Sequence, residues 1–227
     1  MKPLIITAGD KASGKFLAEV WLPTLRKNAE YTGDVLLFDY DFSETYRNIL
    51  RQDKNVFIEK TEPGNIWVTR HRDAYFFLTD SSYSNYDVVL CIDGKDITFQ
   101  KPIVPLFDLA KEVVCYTIER GLNANWVRIE GPDADKIWEV IKDKRIINGG
   151  FYIGPLNEIV KLERFMSEQC KHFPVDQLWL NALIYYHGFP AKRVDDTWNW
   201  ARSFGVKVID GVYCTPDGEK VAIYHDH

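Results

Sequence analysis

Two carboxylates, Asp93 and Asp96, directly follow an apolar run, Val88–Ile92. A short run rich in β-branched residues is typical of a strand buried on both faces of a sheet. Open α/β sheets bind their ligands beyond the carboxyl ends of such strands. Oxygen ligands paired this closely suit Mg²⁺ or Mn²⁺ carrying a substrate diphosphate. The two carboxylates therefore predict a site for a metal ion and a phosphorylated ligand.

A β-hairpin is the alternative interpretation of the same segment. Asp93-Gly94 between apolar runs is a strong hairpin signal, because a type I′ turn needs two positive φ angles. Val88–Ile92 and Ile97–Phe99 would then be the two arms, and the carboxylates would merely face water. Extended chain would separate Asp93 from Asp96 by roughly 10 Å, so a shared metal ion also requires a turn at Gly94.

Cationic residues precede this segment in a predicted aromatic-rich helix, Trp67–Leu78. Arg70, His71 and Arg72 would neutralise the charge of a bound diphosphate if they face the site. The competing interpretation is a solvated helix face, which is the usual place for such charges.

Three later segments carry polar side chains that could bind a ligand. Asn148 precedes a Gly149-Gly150 pair inside an apolar strand, which predicts either a close backbone approach or a simple bulge. Asp176-Gln177 opens a helix, where the carboxylate either caps the helix or accepts hydrogen bonds from a sugar. His225 follows the last apolar strand so closely that a third metal-ligand position is plausible.

Composition limits the possible functions. The chain has 227 residues and a net charge of 28 minus 33, or −5, which gives no electrostatic case for binding nucleic acid. The 4 cysteines show no CxxC spacing, so we expect reduced structural thiols. No segment approaches the length of a membrane span or resembles a signal peptide, which predicts a cytoplasmic protein.

Strand and helix patterns alternate through the first half of the chain, which predicts a mostly parallel sheet between two helical layers. The strands are expected at Leu4–Thr7, Val35–Phe38, Val56–Ile58, Val88–Ile92, Val113–Thr117, Ile146–Ile153 and Val221–Tyr224. The first helix, Phe16–Glu30, should kink or restart at Pro23. With no repeat and no linker, we expect one domain spanning residues 1–227.

Taken in order along the chain, these segments resemble the GT-A nucleotide-sugar glycosyltransferases. The segments that carry the likeness are Ile5–Asp10, Leu25–Val35, Val89–Gln100, Asn148–Gly154, Asp176-Gln177 with Asn181, and Tyr224-His225. Most members carry Asp-x-Asp where this chain has Asp-x-x-Asp. Asp176-Gln177 is similar to the Asp-Gln segment of family 8 and related enzymes, and His225 is similar to the late histidine that completes their metal site.

The resemblance implies a single-domain, Rossmann-like GT-A sandwich and a role for each of these residues. Asp96 and His225 would bind Mn²⁺ (or Mg²⁺), and Asp93 would bind the metal ion or the ribose. Around the nucleotide the resemblance places Thr7, Ala8, Asp10, Trp67 and, as a cation for the phosphates, Arg72. Asn148, Asp176 and Gln177 would hold the donor sugar or the acceptor.

The expected activity is transfer of a hexose from a UDP-sugar to a glycan, glycoprotein or other hydroxyl acceptor. Asp176 would be the general base of an inverting reaction, whereas the family 8 likeness favours retention. Two other classes of protein remain as alternatives. A haloacid-dehalogenase-type phosphatase also places Asp-x-Asp after an apolar strand, although normally near the start of the chain. A carbohydrate-binding domain without catalytic activity would need no nucleotide.

Overall fold

The structure, a computed structural model, describes residues 1–80, 85–126, 128–130 and 133–226. Its strands are β1 (Pro3–Asp10), β2 (Asp34–Tyr40), β3 (Val56–Lys60), β4 (Val88–Ile92), β5 (Ile97–Phe99), β6 (Val114–Leu122), β7 (Arg145–Pro155), β8 (Ala191–Arg193), β9 (Trp200–Ala201), β10 (Lys207–Ile209), β11 (Val212–Cys214) and β12 (Ile223–His225). Its α-helices are α1 (Gly14–Phe16), α2 (Leu22–Lys27), α3 (Glu44–Leu50), α4 (Ile66–Thr79), α5 (Val104–Leu109), α6 (Ala134–Ile141), α7 (Leu156–Gln169) and α8 (Asp176–Tyr185). The predicted elements are therefore present, with ends shifted by a few residues.

A seven-stranded sheet in the order β3-β2-β1-β4-β7-β6-β8 forms the centre of the protein. Four of its strand pairs are parallel, whereas β7 runs antiparallel to both β4 and β6. The chain passes from β1 outward to β3 and then returns to β4 on the other side of β1. This reversal creates a switch point at the carboxyl ends of β1 and β4, where open α/β sheets bind ligands.

Alternate residues of the central strands enter two separate cores, which confirms the three-layer prediction. Ile5 and Leu90 pack on the side of α2, α3 and α5. Leu4 and Val89 pack on the side of α4, α6, α7 and α8. Because every residue of β4 is buried, its sequence is uninterrupted by polar residues until Asp93.

The first helical segment is interrupted as its proline predicts. A π-helical turn, Leu17–Trp21, separates α1 from α2, and Pro23 lies in the first turn of α2. Pro23 has no N–H to donate, and in the π-helical turn just before it the Leu22 amide donates to the Leu17 carbonyl oxygen, so the regular α-helical pattern is broken at this point. The interruption places Trp21 beneath β4, where its indole Nε1 donates a hydrogen bond to the carbonyl oxygen of Asp93 at 3.0 Å.

The hairpin interpretation of Asp93-Gly94 is wrong. β5 pairs antiparallel with β12 rather than with β4, and β12 also pairs with β9 in a separate three-stranded sheet. Gly94 has no positive φ angle. A Cβ atom on Gly94 would instead lie 2.5 Å from the carbonyl oxygen of Ala8 and 2.9 Å from Thr7 Oγ1. Glycine is needed at this position for close packing against β1, and not for a left-handed turn.

A different Asp-Gly pair forms the hairpin turn. Asp210 and Gly211 connect β10 to β11 with φ angles of 51° and 79°, and the two strands pair antiparallel. These positive angles are those that a type I′ turn requires.

The cysteines agree with the expectation of reduced structural thiols. Cys91, Cys115, Cys170 and Cys214 are buried free thiols. Among the described residues, no helix has both the length and the apolar character needed to cross a bilayer.

Candidate active site

Three potential metal ligands converge at the carboxyl end of β4. One ligand atom each from Asp93, Asp96 and His225 lies within 4.8 Å of the others. His225 Nε2 is 3.6 Å from Asp93 Oδ2 and 3.4 Å from Asp96 Oδ1. The convergence follows from strand pairing, because β12 places His225 opposite Ile97, and the amide of Asp226 donates to the carbonyl oxygen of Asp96 at 2.9 Å.

The electrostatic state of this cluster is strongly polarised. Burial alone would lower the pKa of His225, but the adjacent Asp93 and Asp96 carboxylates raise it to about 9. Burial would likewise raise the pKa of Asp93, yet the Arg70 guanidinium and His225 hold it well below its ordinary value. Asp93 is therefore an anion at neutral pH. The two carboxylates that stabilise a proton on His225 would also stabilise a metal cation bound between them and the ring.

These residues fit a divalent metal ion. Asp96 Oδ1 is buried and accepts no hydrogen bond of good geometry from the described residues, although His225 lies nearby as an ion-pair partner. A buried anionic oxygen of this kind is costly unless a cation compensates for it. Two carboxylates with one imidazole form a donor set that suits Mn²⁺ and related ions, and a strictly oxygen-seeking ion such as Ca²⁺ less well.

The strand β7 passes directly beneath the cluster, and its two glycines make room for it. A Cβ atom on Gly150 would lie 2.3 Å from Asp93 Oδ2 and 2.7 Å from His225 Cε1. A Cβ atom on Gly149 would lie 2.8 Å from the Cβ of Gln177. The pairing of β6 with β7 is also irregular here, so the bulge and the close approach that the sequence left as alternatives are both present. The approaching groups are side chains of the protein itself.

Arg70 connects the metal cluster to the start of α8. Its guanidinium donates to Asp93 Oδ1, to Asp176 Oδ2 at 2.6 Å and to the carbonyl oxygen of Gly149 at 3.3 Å. Burial would lower the pKa of Arg70, but Asp93 and Asp176 raise it well above its ordinary value. Arg70 is thus a permanent cation that joins the two sides of the site.

Arg72 does not occupy the place that sequence reasoning gave it. Its side chain pairs with Asp73 at 2.8 Å and lines a different surface pocket with Glu59 and Phe76. Residues 70 and 72 are about 200° apart around a helix, so only one of the two can face a given site. The helix presents Arg70 to Asp93. The prediction that Arg72 is the cation of the site is therefore wrong.

A carboxylate that the sequence did not single out, Glu119 of β6, organises the other end of the site. Glu119 Oε1 accepts hydrogen bonds from Asn148 Nδ2 and Gln177 Nε2, both at 2.9 Å. Asn148 Oδ1 in turn accepts from the amide of Gly150 at 3.0 Å. The irregular register of β6, with its Glu opposite the Asn-Gly-Gly segment, produces this contact, and no local sequence pattern predicts it.

Asp176 is both a helix-start residue and part of the ionic network. Its Oδ1 accepts from the amide of Gln177 at 2.7 Å, while Oδ2 binds Arg70 and lies 3.4 Å from His71 Nε2. Asn181, one turn further along α8, is fully buried and bonds the backbone of Ile147 and Gln177. It fixes α8 against β7, which positions Asp176 and Gln177.

An outer pocket of about 150 Å³ opens beside the metal cluster, lined by Ala8, Asp10, Trp67, Arg70, Asp93 and Lys95 among others. Trp67 is 52% exposed, and the Lys95 ammonium lies 5.7 Å from its ring centroid. The Asp10 carboxylate, which lines the pocket, accepts hydrogen bonds from the Ser13 amide and hydroxyl. Burial would raise the pKa of Asp10, but the hydrogen bonds from Ser13 and from the Ala12 amide lower it overall.

Thr7 is placed differently from the other nucleotide-side candidates. It is buried under Gly94 and lines a smaller inner cavity of about 30 Å³ together with Arg70, His71 and Tyr152. The structure therefore brings Ala8, Asp10 and Trp67 to the outer pocket, whereas Thr7 lies below it.

Comparison with known proteins identifies the fold. No family model matches the chain, and no curated protein sequence matches it. An active-site Gln-to-Glu mutant of LgtC superposes with a TM-score of 0.65 and 16% identity, covering 98% of this chain and 86% of that chain. Galactosyltransferase LgtC in complex with donor and acceptor sugar analogues superposes with a TM-score of 0.60 and 20% identity over the same shares. The chain therefore has the GT-A glycosyltransferase fold, as its sequence segments predict.

Proposed function

We propose that this protein is a metal-dependent glycosyltransferase that moves a hexose from a UDP-sugar to a hydroxyl group of a glycan or glycoprotein. One observation carries the proposal: Asp93, Asp96 and His225 meet within 4.8 Å at the carboxyl end of β4 in a GT-A fold. Asp93, Asp96 and His225 would hold Mn²⁺ or Mg²⁺. Such an ion, when bound, stabilises the negative charge that develops on a departing diphosphate.

The outer pocket supports nucleotide binding on the β1 side of the cluster. Asp10 offers a carboxylate for the base or ribose, Ala8 leaves space above the strand end, and Trp67 presents an exposed aromatic face. Lys95 adds a cation at the rim of the same pocket. The Lys95 ammonium would attract the anionic diphosphate. It can also lie against the Trp67 ring, which is available to stack on the base.

The opposite end of the site supports sugar binding. Asn148, Gln177 and Glu119 form a cluster of amide and carboxylate groups, and sugar hydroxyls both donate to and accept from such groups. An active-site glutamine is also the mutated residue of one LgtC structure. We therefore propose that Gln177 and Asn148 hold the donor sugar or the acceptor and that Asp176 lies beside them.

Retention of anomeric configuration is the stereochemistry that the ionic network favours. An inverting transferase needs a general base with a pKa near the working pH. Burial would raise the pKa of Asp176, but Arg70 and His71 lower it overall, so this carboxylate is a weak base. In the proposed reaction the bond from the anomeric carbon to the phosphate oxygen breaks, the acceptor oxygen bonds to that carbon, and the acceptor proton passes to the departing phosphate.

Ligand-dependent thermal unfolding tests the proposal directly. UDP-, GDP- and dTDP-sugars would each be added with and without Mn²⁺, since a ligand at 100 times its Kd adds about 2.7 kcal/mol of stability. We expect stabilisation by a UDP-sugar that depends on Mn²⁺. Asp96→Asn should abolish this dependence and sugar transfer while leaving the fold intact.

The matched control is Asp87→Asn, since Asp87 lies at the opposite end of β4 and its side chain is exposed. Unchanged Mn²⁺ binding and turnover in Asp96→Asn would refute the metal site. Stabilisation by a sugar alone, with no effect of nucleotide or metal ion, would instead indicate a carbohydrate-binding domain.

A further inference from the structure

A buried carboxylate lies behind the proposed site, on a helix that crosses α4. Glu163 of α7 is 1% exposed, and both of its carboxylate oxygens are bonded. Oε2 lies 2.7 Å from His71 Nδ1, while Oε1 accepts from the Tyr152 hydroxyl at 2.6 Å and from the Cys91 thiol at 3.4 Å. A carboxylate in such a place is tolerated only when paired and hydrogen-bonded, so Glu163 depends on His71.

His71 links this buried carboxylate to Asp176. The ring is 1% exposed, and its second nitrogen, Nε2, lies 3.4 Å from Asp176 Oδ2. With Glu163 accepting from Nδ1, a second proton on Nε2 lets the ring donate to both carboxylates at once. Burial would lower the pKa of His71, but Glu163 and Asp176 raise it, which favours this doubly protonated form.

The same oxygen of Asp176 is shared between His71 and Arg70. Arg70 Nη2 donates to Asp176 Oδ2 at 2.6 Å, from one side, and His71 Nε2 approaches the same atom. Charges therefore alternate in sign along one continuous line of side chains: Glu163, His71, Asp176, Arg70 and Asp93. Glu163 and His71 line the inner cavity rather than the outer pocket, so they reach the site only through their neighbours.

Stability alone does not explain an ion pair at this position. Replacing a buried ion pair with apolar residues of similar volume is often neutral or stabilising, so the packing of α4 against α7 is not in itself a reason for this pair. A paired carboxylate and imidazole have a different property, which is that they fix the orientation of a further group by directed hydrogen bonds. Here that group is Asp176, the residue at the start of α8 beside Gln177.

We propose that His71 and Glu163 are positioning residues that hold the Asp176 carboxylate against Arg70. Glu163 fixes the His71 ring, and the ring holds the same Asp176 Oδ2 atom to which Arg70 donates. The effect on catalysis rests on the proposed glycosyltransferase function, whereas the effect on the position of Asp176 does not.

Three substitutions distinguish the contact between Glu163 and His71 from the contact between His71 and Asp176. His71→Asn places an amide nitrogen where Nδ1 was, so Glu163 keeps a donor but Asp176 loses one. His71→Gln places its amide nearer to the former Nε2, so Asp176 keeps a donor. Glu163→Gln retains volume and an acceptor for Tyr152 but removes the charge that orients His71. Glu168→Gln is the matched control, because Glu168 lies on α7 in an exposed pair with Arg164.

The first measurement is a crystal structure of each variant. It reports the position of Asp176 even if the protein does not turn over a UDP-sugar. Productive site geometry is held to within about 0.5 Å. We expect the Asp176 carboxylate to move by more than this in His71→Asn and Glu163→Gln, and to stay in place in His71→Gln and Glu168→Gln. An unmoved Asp176 in both of the first two variants would overturn the proposal.

The second measurement is steady-state sugar transfer with a UDP-sugar and Mn²⁺. Removing a partner that orients a metal ligand costs about 10- to 100-fold in activity, and we expect a similar loss here because Arg70 joins Asp176 to Asp93. We expect kcat to fall by at least about tenfold in His71→Asn and Glu163→Gln with little change in KM, with partial recovery in His71→Gln. A lower Tm with an unchanged kcat would show a merely structural role. Absence of transfer by the wild-type protein would refute the proposed function, and the crystal structures would still decide the positions.

Discussion

Gly150 lies so close to Asp93 that a Cβ atom on it would fall 2.3 Å from Asp93 Oδ2. Asp93 is already held by Arg70 on one side and His225 on the other, so it has little freedom to give way. We expect Gly150→Ala to displace Asp93, to reduce Mn²⁺ affinity by about tenfold or more, and to destabilise the fold by about 1–3 kcal/mol. Isothermal titration and urea unfolding measure the two effects.

Gly154→Ala is the control for this prediction, since Gly154 also lies in β7 but would place its Cβ 2.7 Å from Val114 in the core. It should destabilise the fold while leaving Mn²⁺ affinity unchanged. Equal losses of metal affinity in the two variants would mean that the glycine serves only the packing of β7.

The reason for glycine at position 94 can be tested against the rejected hairpin. A left-handed turn tolerates asparagine, whereas a close contact with the β1 backbone excludes any side chain. We therefore expect Gly94→Asn and Gly94→Ala to be equally destabilising, by about 1–3 kcal/mol in urea unfolding. Gly211→Asn, in the true hairpin turn, should change stability by less than about 1 kcal/mol. A well-tolerated Gly94→Asn would contradict the close-packing explanation.

The comparison of these two Asp-Gly pairs shows what local sequence could and could not predict. Both pairs follow apolar residues, and the hairpin rule fits both. Which pair forms a hairpin depends on the strand with which the neighbouring strand pairs. β5 pairs with β12, more than a hundred residues later, whereas β10 pairs with β11, the next strand in the sequence. Long-range pairing of this kind is invisible in a short window of sequence.

The site was predictable where chemistry depends on residue type at a strand end, and unpredictable where it depends on helix rotation. Asp93, Asp96 and His225 were expected together and do converge. Arg72 was the predicted cation, but the packing of α4 brings Arg70 to Asp93 and pairs Arg72 with Asp73. Glu163 was missed, because a glutamate within a helical pattern is usually on a solvated face.

Arg70 and Arg72 therefore form a matched pair for mutagenesis on one helix. Lysine keeps the charge but cannot donate to two carboxylates with the fixed geometry of a guanidinium. Arg70→Lys should lower sugar transfer by at least about tenfold, because Asp93 and Asp176 would no longer share one donor group. Arg72→Lys, which affects only the contact with Asp73, should turn over at close to the wild-type rate. The reverse pattern would place the functional cation at Arg72.

The pH dependence of stability reports on the charge of His71. The groups that face its ring are the Glu163 and Asp176 carboxylates, with the Arg70 guanidinium beyond. Because these carboxylates raise the pKa of His71 in the folded state against the opposing effect of burial, the folded protein binds the proton more tightly than the unfolded chain. This contribution to stability is complete below the ordinary histidine pKa of about 6.5 and is lost as pH rises through the raised folded value.

We expect the difference in unfolding free energy between the wild-type protein and His71→Asn to be largest at acidic pH and to shrink as pH rises above about 6.5. Urea unfolding between pH 5 and 9 (about the span of histidine titration) measures this difference, and Glu168→Gln serves again as the control without a pH-dependent change. A difference that grew with pH would show that the folded protein prefers a neutral His71. The charges from Glu163 to Asp93 would then not alternate in sign, because His71 would carry no charge.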